Sequence, residues 1–198
     1  TGVQTCALPI YPELTFTGVL RLPAVANACL VTLLAGLAFG FIGPTLAPHL
    51  RDTLGASERA IGGLFGVAAG TYALASPAAG ALADAWGPRR VLAAGIFGLA
   101  VAYLFLGPSP MFGPQHTGAG AHAGAWALQI ISLSLLGISA AAAFIPAMPA
   151  MEAAVLARFG DTPASGETVA ALYNGIYCAG ERSEEHTSEL QSRQYLVC

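Results

Sequence analysis

Lysine is absent from this chain of 198 residues, and all eight basic side chains are arginine. A glycine-rich phosphate loop that ends in Lys-Ser or Lys-Thr is thereby excluded, and ATP-driven work of that kind with it. No other cofactor motif is present, and none is expected. Charge is scarce altogether. Only 10% of residues are Asp, Glu, Lys or Arg, against about 25% in a soluble domain, so the chain cannot cover a globular surface with charge in the usual way. The formal balance is −3 and the arginines form no basic patch, which argues against nucleic acid as a partner. Cysteine is sparse too. Of the four, Cys6 and Cys198 lie near the chain ends, and Cys29 and Cys178 sit in apolar runs, where a thiol behaves as a small hydrophobe. No disulfide scaffold follows from that pattern. His116 and His122 share a Gly-rich stretch with no third ligand beside them, so no metal site is expected.

What the chain has instead is apolar length. Hydrophobic residues make up 55% of it and the mean hydropathy is +0.64. Uncharged runs cover residues 22–48, 60–83, 91–108 and 126–151, and a fifth begins near 168. A helix needs about 20 apolar residues to cross a bilayer, whereas a spanning strand needs about 10 and alternates with polar residues. These runs are continuous, so they are predicted to be helices, which satisfy their backbone groups internally in hydrocarbon. Their number and length exclude a signal peptide. The connections are polar: 49–59 with Arg51, Asp52, Glu58 and Arg59, then 84–90, then 152–167 with Arg158 and Asp161. The Gly/Pro/Ala/His stretch 109–125 has too little bulky apolar surface to span. Pro44 and Pro48 are placed near the far end of the first helix, Pro146 and Pro149 are predicted to kink the fourth near its end, and Glu152 to mark its boundary. The fold class is all-α, a polytopic membrane helix bundle.

Arginine counts orient the bundle. Arg21, Arg89, Arg90 and Arg158 fall on one side, and Arg51 and Arg59 on the other, each of the latter beside an acidic residue. The majority side is cytoplasmic, which places the N-terminus inside. Small residues recur every four positions: Gly36 and Gly40; Gly62, Gly66 and Gly70, continued by Ser76 and Gly80; and Ala171, Gly175 and Ala179. Such spacing lets helix backbones approach closely in lipid.

The two ends are related through base pairing. The first residue is Thr1, and the opening TGVQTCALPI can be encoded as ACT GGA GTT CAG ACG TGT GCT CTT CCG ATC, with T beginning Tyr11. The reverse complement of that string translates as RSEEHTSELQ, which is residues 182–191. Both ends resemble translated sequencing-library adapter and are set apart from the fold. The chain is therefore divided into residues 1–10 and 182–198 as adapter-like flanks, and 11–181 as helices one to four and the start of a fifth. Within 11–181 six Arg face eight Asp and Glu.

The most specific pattern is the turn between the second and third runs, GALADAWGPRR, with Gly80, Asp84, Gly87, Arg89 and Arg90 at fixed offsets. It resembles the signature loop of the major facilitator superfamily, Gly-x-x-x-Asp-(Arg/Lys)-x-Gly-x-(Arg/Lys)-(Arg/Lys), and stands between the same two spans; Ala85 replaces one basic residue. GPTLAPHL, FIPAMPAME and ALYNGIYCAGE are similar to the vesicular amine transporter branch, particularly its polyamine transporter-like members. The resemblance implies the front of the N-terminal half of a twelve-helix fold. It also implies a secondary transporter that moves a small organic solute, an amine or polyamine, by alternating access coupled to protons, in the plasma membrane or a vesicle membrane. Asp84 would then bond across to a neighbouring helix end and help hold one conformation closed.

Polar groups at membrane depth are costly and are functional candidates by default. Asn27, Thr32, Tyr173, Asn174 and Tyr177 are those available, and they are the expected solute path; Asn174 and Tyr177 share one helical face. Tyr rings there can stack on a cation. Two other classes remain. An intramembrane enzyme needs a nucleophile with its base, or paired carboxylates. The sequence has no Gly-x-Ser-x-Gly, no His-Glu-x-x-His and no intramembrane Asp pair. A membrane scaffold without a substrate is the third class.

Overall fold

The computed structural model describes residues 15–106, 119–161 and 163–181. The two adapter-like flanks, with Cys6 and Cys198, lie outside the described residues, as does His116. Seven helices follow in order: α1 (Phe16–Leu20), α2 (Pro23–Leu54), α3 (Glu58–Trp86), α4 (Pro88–Leu106), α5 (Ala119–Phe144), α6 (Ala147–Phe159) and α7 (Pro163–Glu181). No strand occurs among the described residues.

Four helical stretches are long and apolar enough to cross a membrane: α2, α3, α4, and residues Ala123–Phe159 across α5 and α6. They correspond to the four runs expected from hydropathy. Large side chains on their outer faces stay uncovered, with Leu74 83%, Phe97 72% and Ile131 64% exposed. Water would penalise such a surface, and lipid does not.

Helix ends differ from the sequence reading where local chemistry overrides charge. The first span does not stop at Pro48. α2 runs through Pro44 and Pro48 and takes in the charged residues Arg51 and Asp52. It ends at Gly55, whose φ of 60° is the left-handed stop: the Gly55 N–H donates to Arg51 O and the Ala56 N–H to Leu50 O. Ser57 then caps α3 by accepting from the Ala60 N–H at 3.4 Å, and Arg51 and Glu58 form an exposed ion pair across this short loop. The loop expected at 152–167 is also mostly helix. α6 continues to Phe159, so Glu152 lies inside a helix rather than at its boundary, and α7 already starts at Pro163. Residues 119–125, expected to be loop, form the first turns of α5. The predicted kink at Pro146 is a full interruption, a two-residue turn at Ile145 and Pro146 between α5 and α6.

α5 is the centre of the bundle, packed against α3 on one side and α4 on the other. Glycine makes both approaches possible. A Cβ at Gly95 would lie 2.6 Å from the Ala143 nitrogen, one at Gly98 would run into Ser139, and one at Gly137 would run into Thr71 and Ala68. On the other side, α2 packs against α7 and α6. There Gly36 meets the backbone of Tyr177 and Gly180, and Gly40 meets Gly180 and Glu181. Two of the small-residue stripes expected to mediate contact do not. Gly62, Gly66 and Gly70 have no neighbour within 4 Å of a modest side chain, and Gly175 has none either; Ala171 and Ala179 are exposed. Spacing puts small residues on one face of a helix but does not choose which face is covered.

Candidate functional site

Between α2, α3, α5 and α7 the bundle forms a half-open cavity of about 530 Å³. α2 contributes Phe39 and Ile42, α3 contributes Phe65, Ala68, Ala69 and Tyr72, and α5 contributes Leu133, Leu136 and Phe144. α7 contributes Tyr173, Asn174 and Tyr177. Six of these twelve side chains are aromatic, and none is charged. The Phe144 ring is the hinge of the aromatic cluster. It lies 5.9 Å from the Phe39 ring at a 58° tilt, and 5.5 Å from the Tyr177 ring at 77°, an edge-to-face contact.

The α7 face exists because Tyr173, Asn174 and Tyr177 lie within one helical turn of one another, as the three-residue spacing of Asn174 and Tyr177 indicates. Its height is set by the Gly36–Gly180 contact, which brings α7 against α2. Asn174 donates from Nδ2 to the Ala170 carbonyl at 2.9 Å. The Tyr177 hydroxyl donates to Glu181 Oε1 at 2.6 Å, one turn further along α7. Tyr72 comes from the opposite wall, on α3. The cavity thus offers π faces, three tyrosines and the Asn174 amide in an otherwise apolar lining. Such a surface suits a partly apolar organic molecule with a few polar or cationic points.

Of the five residues expected to line a solute path, three meet here: Tyr173, Asn174 and Tyr177. Asn27 and Thr32 do not. Asn27 is exposed on the first turns of α2. Thr32 is fully buried in α2, and its Oγ1 has no hydrogen-bond partner among the described residues. Polarity within an apolar run was too coarse a criterion, because it ignores which side of the helix carries the group.

Four aromatic wall residues escaped the sequence reading. Tyr72 stands as a polar group in an uncharged run, the same signal that marked Tyr173, and was legible. Phe39, Phe65 and Phe144 carry no such mark, since an aromatic ring in an apolar run looks the same against lipid or against a cavity. Glu181 was also passed over, although its offset of four from Tyr177 is the spacing at which helical side chains meet.

The signature turn lies apart from the cavity, at the α3–α4 junction. One residue, Gly87, separates the two helices. Its φ of 86° and ψ of 141° are accessible to glycine and strained for other residues. Its N–H closes α3 on the Ala83 carbonyl at 3.0 Å, and Pro88 opens α4 with its φ already set. A Cβ at Gly80, on α3, would lie 4.0 Å from Ile145 of the α5–α6 turn. Asp84, Arg89 and Arg90 are exposed, and their side chains enter no ion pair among the described residues.

No group of three His, Cys, Asp or Glu side chains converges among the described residues. A family model described as Major Facilitator Superfamily matches residues 28–160, which takes in most of α2, the whole of α3, α4, α5 and α6, and the signature turn. No curated protein and no solved structure matches the chain.

Proposed function

The chain belongs to the major facilitator superfamily, and from that premise we propose that it is the front of a secondary transporter whose cavity between α2, α3, α5 and α7 forms part of the solute path. The proposed cargo is a small organic solute, an amine or polyamine, moved by alternating access and exchanged for protons. The proposed topology has the N-terminus in the cytoplasm, in the plasma membrane or a vesicle membrane. The observation that carries the reading is the meeting of Tyr72 with Tyr173, Asn174 and Tyr177 around one half-open space. These polar groups come from two helices, α3 and α7, and polar side chains that converge between apolar helices are what a solute path requires.

The α3–α4 turn is the proposed latch. Asp84 is exposed at a helix junction that glycine holds in a sharp bend, so it is available to a partner outside the described residues. A carboxylate bonded in only one of two conformations biases the equilibrium between them, by as much as the bond differs between the states. Solute and proton sites in such transporters form where repeats face each other, so rocking about that interface opens them to alternate sides.

The test has two arms. Resequencing the transcript is expected to show the reading frame continuing past Glu181 into further apolar spans; a stop codon there removes the reading. The product of that frame, reconstituted into proteoliposomes, is expected to take up labelled spermidine when a proton gradient is imposed. Asp84→Asn should lower that uptake about tenfold, consistent with a lost bond of roughly 1.4 kcal/mol in one state. Uptake that is absent with spermidine and with monoamine substrates alike counts against an amine cargo.

A further inference from the structure

The cavity has no charged wall, yet a carboxylate stands directly behind one of its rings. The Tyr177 hydroxyl donates to Glu181 Oε1 at 2.6 Å, and Tyr177 itself lines the cavity. Glu181 is held in place through its backbone: a Cβ at Gly40 of α2 would lie 3.5 Å from Glu181 O, and Gly36 and Gly180 pack together one turn below. Gly40 is about 25 Å along α2 from Pro23 and about 21 Å from Leu54 at 1.5 Å per residue. The Glu181 backbone therefore lies beside the uncharged part of α2, about 12 Å along the helix from Pro48, and its exposed side chain extends from there.

Beside that part of α2 the described helices supply no positive partner. α7 contains no Arg or His at all. α2 has none from Pro23 to Pro48, α3 none after Arg59, α4 none after Arg90, and α5 and α6 none between His122 and Arg158. Tyr177 is the group that meets the Glu181 carboxylate, and Tyr173 and Tyr72 line the same cavity as Tyr177. The charged residues of α6, Glu152 and Arg158, belong to the other end of α7. A phenol stabilises a carboxylate by hydrogen bonding but cannot neutralise it. Among the described residues no positive charge answers Glu181, and a cation in the adjoining cavity would supply one.

We propose that Glu181, acting through Tyr177, is the specificity-determining carboxylate that makes the cavity prefer an organic cation over a neutral molecule of the same shape. This rests on the reading of the cavity as a solute site. A hydrogen bond to a carboxylate pushes electron density into the Tyr177 ring, which strengthens the attraction of its face for a cation. The Coulomb field of the carboxylate acts in the same direction in a low-dielectric setting. The cation itself meets the aromatic faces, with Phe144 fixing the Tyr177 ring edge-on.

The test uses the chain in lipid nanodiscs and two probes of one shape, choline and its uncharged isostere 3,3-dimethyl-1-butanol, with binding followed by saturation-transfer NMR. The wild-type chain is expected to prefer choline by about tenfold, the size of one favourable cation–aromatic contact reinforced by charge. Glu181→Gln should reduce the preference to about twofold or less while leaving the affinity for the alcohol unchanged. Tyr177→Phe keeps the ring and its contact with Phe144 and should give an intermediate ratio. Helix content by circular dichroism checks that both variants fold. If both probes bind and the Glu181→Gln ratio equals that of the wild type, the role of Glu181 is overturned and the cavity stands. If neither probe binds the wild type, the solute-site reading fails, and this assignment fails with it.

Discussion

Gly36 and Gly40 on α2 repeat at the same interval as Gly62, Gly66 and Gly70 on α3, yet the two sets meet different fates. The α2 pair lies against the backbone of α7, where Gly180 has its own Cα close to Gly36. The α3 set faces open space. Both stripes permit close approach, but only one is used within the described bundle. The tightest approaches occur at glycines that belong to neither stripe, Gly95 and Gly98 on α4 and Gly137 on α5. A small-residue stripe is thus permission for contact. The choice of contact belongs to the partner, whose own apolar face and loop lengths bring it near or keep it away.

The same substitution at three of these positions sharpens the contrast, since Gly→Ala brings the same helix-propensity gain everywhere and only the surroundings differ. Gly95→Ala is expected to have the largest effect, a loss of about 2–3 kcal/mol, because the new methyl would collide with rigid backbone at Ala142 and Ala143. Gly66→Ala should move the other way and stabilise the bundle by roughly 0.5–1 kcal/mol, the ordinary gain at an open helical site. Gly36→Ala should fall between them, within about 0.5 kcal/mol of wild type, as the propensity gain is offset by a methyl 3.3 Å from the Tyr177 carbonyl. Reversible unfolding in mixed micelles with increasing sodium dodecyl sulfate would measure all three. Loss of stability at Gly66 equal to that at Gly95 would break the comparison and place another element on α3.

The cavity and the α3–α4 turn differ in a related way. The turn is a local object: Gly80, Asp84, Gly87, Arg89 and Arg90 are near in sequence, and the glycine between two helices with Pro88 behind it can be read directly as a sharp bend. The cavity is assembled from four helices whose contributions are more than a hundred residues apart, from Phe39 to Tyr177. Tyr173, Asn174 and Tyr177 were legible because polar groups are conspicuous in an apolar run. Asn27 and Thr32 shared that mark and proved to lie elsewhere, one exposed and one buried between helices. The phenylalanines carried no mark, since neither lipid nor cavity demands anything of them that the other does not.

Helix boundaries divide along the same line. The charge-based ends at Pro48 and Glu152 were overrun because a helix stops where its last carbonyls find partners, not where charge begins. Gly55 supplies a left-handed stop, and Gly160 with φ of 84° ends α6. Proline inside α2 was not enough to end it, whereas at Ile145 and Pro146 the chain did break.

Composition and the length of the uncharged runs determined by themselves that this chain lives in lipid as helices, because hydrocarbon leaves a backbone no other way to satisfy its polar groups over such lengths. The family was legible for a similar reason, since one short turn needs particular residues at particular offsets. Which helices touch, which glycines are buried, and which aromatic rings line a space were decided only by tertiary structure. Those outcomes depend on the rotation and height of each helix against its neighbours, and in an almost uniformly apolar sequence no local pattern encodes them.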